Sequence, residues 1–159
     1  MKIFYFVILP IAALVIILFF IFRDNGVKID NADIAGLSSV EAKVYMSPTC
    51  GCCSLFESML SKKMKTKKIL VDDMDSIKKQ YNIPKDLQSC HTTIVGGYAI
   101  EGHIPIEAIA KLLKEKPAIQ GIAMPGMPSG SPGMPGPKND PFEIYKLDNS
   151  NSNEIFMTI

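Results

Sequence analysis

Apolar and polar positions along the chain change character several times. Ile3 to Phe22 is a run of twenty residues without a charge. At ~1.5 Å of rise per residue that is enough for a helix to cross a bilayer. A secretory leader has a shorter apolar core and a small-residue cleavage site, and Phe20-Ile21-Phe22-Arg23-Asp24 offers none. The pattern therefore predicts a single N-terminal transmembrane helix within residues 1–23, with a removable signal segment as the alternative. Lys2 and the amino terminus on one side, against Arg23 beside Asp24 on the other, place the rest of the chain outside the cytoplasm. Residues 24–41 are mixed and polar and read as a linker.

From Ala42 the periods shorten. Ala42 to Met46 reads as a strand that ends at Ser47-Pro48. Leu55, Phe56, Met59, Leu60 and Met64 recur at helical spacing, with Lys62, Lys63 and Lys65 in the expected last turn. Lys68 to Val71 is a second strand. Met74, Ile77 and Tyr81 mark a short helix capped by Asp75 and stopped before Pro84. Thr92 to Val95 and Tyr98 to Glu101 flank Gly96-Gly97, the signal of a two-residue hairpin turn. Ile106, Ile109, Ala110 and Leu113 then form one face of a helix. The order β-α-β-α-β-β-α predicts an α/β fold, a three-layer thioredoxin-like domain over residues 42–116. Residues 117–148 form a Pro/Gly/Met-rich C-terminal extension containing the strand-like Phe142 to Leu147, and 149–159 are expected to be a disordered tail.

The chain has 159 residues and a net charge of +1, with no basic stripe, so nothing points to nucleic acid. It is expected to be monomeric. Its chemistry is concentrated in four cysteines, three of them in Cys50-Gly51-Cys52-Cys53 at the first strand-to-helix turn. The positive end of a helix favours a thiolate there. Cys50 and Cys53 have the spacing of a redox dithiol, Cys50 attacking and Cys53 resolving. Cys52 is surplus to that chemistry and better explained as a third metal ligand. Cys90, just before the third predicted strand, would face the same turn as a fourth ligand or as a disulfide partner. His103 is a candidate ligand or a helix-capping histidine. His91 ranks below it, because neighbours on extended backbone point to opposite faces. Met124, Met127 and Met134 lie in the irregular tail. Their thioethers are either soft ligands suited to Cu(I) or apolar pins for the tail. Met46, Met59, Met64 and Met74 fall on predicted elements and are expected in the core.

Taken in order, Ser47-Pro-Thr-Cys-Gly-Cys-Cys53, Leu87-Gln-Ser-Cys-His-Thr92, Gly97-Tyr98, Glu101-Gly-His-Ile-Pro105 and Met124-Pro-Gly-Met-Pro-x-Gly-Ser-Pro-Gly-Met134 resemble the CopG-type metal-binding proteins of bacteria, a domain of unknown function associated with copper resistance. The resemblance spans about residues 42 to 147. It implies a thioredoxin-like domain with a C-terminal extension, in the periplasm, binding copper near the Cys-x-Cys-Cys motif. The expected protein is thus a copper binder on the periplasmic face of the inner membrane, tethered through residues 3–22 or soluble after signal cleavage. Cys50, Cys52, Cys53 and Cys90 would hold Cu(I), alone or as a multinuclear thiolate cluster, with His103, Met124, Met127 and Met134 completing the sphere. Cu(I)/Cu(II) interconversion in copper resistance would be its chemistry, and copper efflux or chaperone proteins its partners. The residues leave open whether it turns over as an enzyme. A thiol–disulfide oxidoreductase using Cys50 and Cys53 is the second reading. A four-thiolate Zn²⁺ module is the third, poorly served by adjacent Cys52 and Cys53.

Overall fold

The computed structural model describes residues 28–148 and 154–159. Their elements are α1 (Asn31–Gly36), β1 (Glu41–Met46), α2 (Gly51–Leu60), β2 (Lys65–Leu70), α3 (Met74–Gln80), β3 (His91–Val95), β4 (Tyr98–Glu101), α4 (Ile106–Glu115), β5 (Gly121–Ala123), β6 (Glu143–Leu147) and β7 (Ile155–Thr158). The strands form one seven-stranded sheet in the order β2-β1-β3-β4-β5-β6-β7. β1 pairs parallel with β2 and β4 with β5; the other four pairings are antiparallel.

This corrects the expected architecture, a three-layer thioredoxin-like domain over residues 42–116 followed by a C-terminal extension that covers the site. The sheet is mixed and does not stop at residue 116. It continues through β5, β6 and β7, so the extension is part of the sheet. β7 also replaces the C-terminal part of the expected disordered tail; residues 149–153 lie outside the described residues. β5 escaped the sequence pattern because three residues show no periodicity. Gly121 marks it instead: a Cβ there would lie 1.8 Å from the Ala99 carbonyl oxygen, so only glycine allows the two backbones to pair. The predicted membrane helix over 3–22 also lies outside the described residues, among which no helix is long and apolar enough to cross a membrane.

Period-2 alternation divides the core between the two faces of the sheet. Ala42, Val44 and Met46 of β1 join Ile100, Ile122 and Ile144, covered by Phe56 and Leu60 of α2 and by Ile109 and Leu112 of α4. Ala99, Ala123 and Leu147 face the other way, toward Ile83 and Leu87. Gly96 and Gly97 turn the β3–β4 hairpin at φ +58° and +87°, the left-handed conformation a two-residue turn needs. The helix expected around residues 55–64 starts and ends earlier, so Lys65 opens β2 and the lysines do not cap it. Asp73, rather than Asp75, caps α3 by accepting the Ser76 N–H. Part of the expected linker is ordered: Asp30 caps α1, which packs on α4 with Asp33 paired to Lys114 at 2.9 Å. Met59, expected in the core, is exposed, and its sulfur accepts the Gly133 N–H at 3.1 Å.

The Pro/Gly-rich tail is stitched down as it crosses α2. Met124 N–H donates to the Glu101 carbonyl at 3.0 Å, and Ser89 Oγ donates to the Gly126 carbonyl. Gly133, at φ +82°, lies over the first turn of α2, where a Cβ would come within 2.6 Å of the Phe56 nitrogen. Beneath the tail the core turns polar. His91, Thr92, Glu101 and His103 are fully buried, and Phe56 rests against both imidazoles at centroid distances of 4.4 and 5.7 Å. Burial pushes the His91 pKa down to about 3, helped by the neighbouring His103 and Lys78.

Two consequences are measurable. In the unfolded chain His91 titrates near ~6.5. Between that pH and about 3 the unfolded state binds a proton the folded state refuses, so stability must fall as pH drops. Urea unfolding of the metal-free protein should show a loss between pH 7 and pH 5 approaching about 1.4 kcal/mol per pH unit below ~6.5. His91→Asn should shrink that pH dependence; an equal loss in the variant would exclude His91 as its source. Gly133→Ala should cost roughly 2 kcal/mol or more in the same assay, through strain at a left-handed position pressed against backbone. An unchanged midpoint would mean that the tail does not lie on α2.

Candidate metal centre

The centre is assembled by one register pairing. β1 and β3 run antiparallel with Met46 opposite His91. The residue that leaves β1 toward α2 and the residue that enters β3 are therefore neighbours. Ser47-Pro48-Thr49 turns the chain, Cys50 is the N-cap of α2, and Cys90 immediately precedes β3. The four cysteine sulfurs gather within 4.8 Å of one another. Cys52 Sγ stands 3.5 Å from Cys50 Sγ and 4.0 Å from Cys90 Sγ. Cys50 and Cys53 are joined by a disulfide, with Cα atoms 5.4 Å apart, while Cys52 and Cys90 are free.

Imidazoles close the other side of Cys90. Its sulfur is 3.1 Å from His103 Nε2 and 3.3 Å from His91 Nδ1. His103 reaches this position because Gly102, at φ +83°, lets the chain leave β4 sharply. His103 Nδ1 lies 2.7 Å from the Pro132 carbonyl. A carbonyl can only accept, so Nδ1 carries the proton and the lone pair of Nε2 points at Cys90. This is the arrangement that orients a metal-binding histidine. Burial lowers the His103 pKa, which keeps that lone pair free, although the Pro132 carbonyl pulls the other way.

His91 departs from expectation. Cys90 lies outside β3, so strand alternation does not separate the two side chains, and both enter the site. His91 Nε2 is buried with no partner. The sequence signal for His91 was its adjacency to Cys90. Cys90 itself is pushed up to about 11 by burial and then by the neighbouring Cys52. It holds its proton at neutral pH, and a metal must displace that proton to bind.

The tail methionines divide. Met127, 52% exposed, brings its sulfur to 3.9 Å from Cys52 Sγ. Met124 is buried in the core cluster, and Met134 lines an apolar surface groove of about 740 Å³ with Leu55, Met59 and Phe142. The thiols' hydrogen-bond-range contacts include neither. Sequence reasoning missed Glu101 and Lys78, which form a buried ion pair just behind Cys90. Glu101 was legible as the end of a strand and the head of the Glu101-Gly-His-Ile-Pro105 motif, but not as the partner of Lys78.

The donor set fits a soft metal. Sulfur dominates, the exposed thioether of Met127 is adjacent to a free thiol, and the nitrogen donors are neutral. Zn²⁺ fits less well, because Cys52 and Cys53 are consecutive on one helical turn and cannot both surround a tetrahedral ion easily.

Residues 87–134, which carry Cys90, His103 and the three tail methionines, match the family described as "Protein of unknown function, DUF411". No curated protein matches the chain. Two solved structures do, "Copper resistance protein copG- Form 1" and "Form 2". Each is 30% identical and superposes with a TM-score of 0.68 over 76% of this chain and 98% of theirs. Identity at that level, sustained over nearly the whole of both neighbours and joined to the clustered thiols, makes this chain a member of the CopG copper-resistance family.

Proposed function

We propose that the protein binds copper as Cu(I) in the periplasm and serves copper resistance by holding it and interconverting Cu(I) and Cu(II) through one-electron exchange with an external redox partner. Copper is the cargo of the site, passed on to efflux or chaperone proteins. The observation that carries this reading is the convergence of Cys90 on the Cys50–Cys53 turn, with Met127 beside Cys52. Once the Cys50–Cys53 disulfide is reduced, four thiols and a thioether form a donor set that prefers a soft monovalent ion. The Cys50–Cys53 disulfide suits an oxidising compartment.

The chain's own residues do four things for the cargo. Cys52 and Cys90 offer thiols without prior chemistry. Cys50 and Cys53 join them only after their disulfide takes up two electrons and two protons from a dithiol reductant. His103 presents Nε2, held by Pro132. The tail covers the site and leaves Met127 at the surface, where the incoming ion first meets sulfur.

The disulfide also favours a second reading, a thiol–disulfide oxidoreductase in which Cys50 and Cys53 exchange with substrate disulfides. Cys52→Ser separates the two. Protein reduced with dithiothreitol and desalted without oxygen should retain copper when loaded with Cu(I). Cys52→Ser should lose about half of that copper or more, because Cys52 Sγ stands 3.5 Å from Cys50 Sγ, 3.9 Å from Met127 Sδ and 4.0 Å from Cys90 Sγ. Metal analysis reads the outcome directly. Unchanged copper in Cys52→Ser, together with loss of insulin-disulfide reduction in Cys50→Ser, would transfer the assignment to the second reading. Zinc at one per chain with no copper would exclude both copper roles.

Cys90 supplies an independent check. With its pKa near 11, its alkylation by iodoacetamide at pH 8 in metal-free protein should be on the order of a hundredfold slower than in urea, where a thiol titrates near ~8.5. Equal rates, read by peptide mass spectrometry, would show that Cys90 is not enclosed by the site.

A further inference from the structure

Glu101 is fully buried beside the Lys78 ammonium, a costly arrangement, and two of the three donors to its carboxylate flank the Cys90 segment of the metal centre. Its Oε1 accepts from Lys78 Nζ of α3 and from the Ser89 backbone N–H at 2.7 Å. Its Oε2 accepts from Thr92 Oγ1 at 2.6 Å. Ser89 and Thr92 bracket Cys90 and His91. Glu101 also acts through its main chain. Its carbonyl accepts the Met124 N–H, where the tail begins its path over the site, and His103 follows two residues later. One residue thus ties together the Cys90 segment, the approach to His103 and the root of the tail.

Stability alone gives no reason for this choice, because a buried ion pair can commonly be replaced by apolar side chains of similar volume at no net loss. A carboxylate differs from a leucine in having directional acceptors on both oxygens. Here two of the acceptor directions are spent on the segment that carries Cys90. Burial pushes the Glu101 carboxyl up, while Lys78, Thr92 and the Ser89 N–H pull it back.

We propose that Glu101, countered by Lys78, is a positioning residue: its carboxylate fixes the Ser89–Thr92 segment so that Cys90 meets the thiols of α2 and the imidazole of His103. Lys78 holds the carboxylate in place from α3, an element with no ligand of its own. The inference rests on the copper reading for its functional meaning, but its geometry can be tested without metal.

The test compares two double variants of the full chain. Glu101→Leu with Lys78→Met removes both charges and the acceptors. Glu101→Gln with Lys78→Met removes the charges and keeps an acceptor for the Ser89 N–H. In metal-free protein, hydrogen exchange of the Ser89 amide followed by NMR should accelerate at least about tenfold in the leucine pair, as expected when a half-buried amide loses its hydrogen-bond partner. The Val44 amide at the centre of the sheet should not change. In loaded protein, Cu(I) affinity by competition should fall about tenfold or more, the scale on which outer-shell partners of metal ligands act. The Cu–thiolate ultraviolet absorption should shift with it. The glutamine pair should recover both readouts. A leucine pair that folds, with Ser89 exchange and copper affinity as in wild type, overturns the proposal. If the leucine pair does not fold, Thr92→Val carries the same test: concerted changes in Ser89 exchange and copper affinity support it, and no change overturns it. If wild type takes up no copper yet Ser89 responds as described, the copper reading fails and the positioning of Cys90 stands.

Discussion

The antiparallel pairing of Met46 with His91 is the constraint on which the rest of the site depends. Residues 50 and 90 are far apart in sequence. The ladder between β1 and β3 brings the end of one strand beside the start of the other, and the thiols meet because the strands do. A slip of one residue would turn Ala42, Val44 and Met46 away from the core. Their burial therefore fixes the register and, with it, the distance between the cysteines. The positions that stabilise the sheet are the ones that assemble the chemistry.

Around that ladder the chain accumulates polar groups where a domain of this size ordinarily keeps aliphatic ones. Two imidazoles, a carboxylate and an ammonium lie in or beside the core. Each is tied to a neighbour of the thiols or to the tail above them, except for the unpartnered nitrogen of His91. The tail is rich in proline, glycine and methionine. It is held by backbone hydrogen bonds and by glycines that tolerate close approach. It can follow the surface of α2 closely because Gly133, at the point of contact, has no side chain in the way.

Much of this was legible from the sequence. The order of elements from β1 to α4 followed from periodicity, and the Gly96-Gly97 turn from glycine's freedom at positive φ. The clustering of cysteines at a helix N-terminus was visible in their spacing. What escaped depended on contacts between distant residues. β5 is too short to show a pattern, and β7 is read as a strand only because β6 lies alongside it. His91 was discounted by a rule for regular strands that does not apply one residue before the strand begins. Glu101 stood in the Glu101-Gly-His-Ile-Pro105 motif, but its role carried no signal, since its partners come from α3, from the loop before β3 and from β3 itself. The three methionines looked alike in sequence, and only packing separates Met127 from the other two.

The bond between Cys50 and Cys53 has a consequence for how the molecule senses its surroundings. The two sulfurs can be bound to each other or available to an ion, but not both. Any ion held through them is thermodynamically linked to the dithiol form, and it draws the equilibrium toward that form in proportion to its own concentration and affinity. Exposure to oxidant and exposure to metal thus act on one pair of atoms in opposite directions, so the occupancy of the site registers the balance between them.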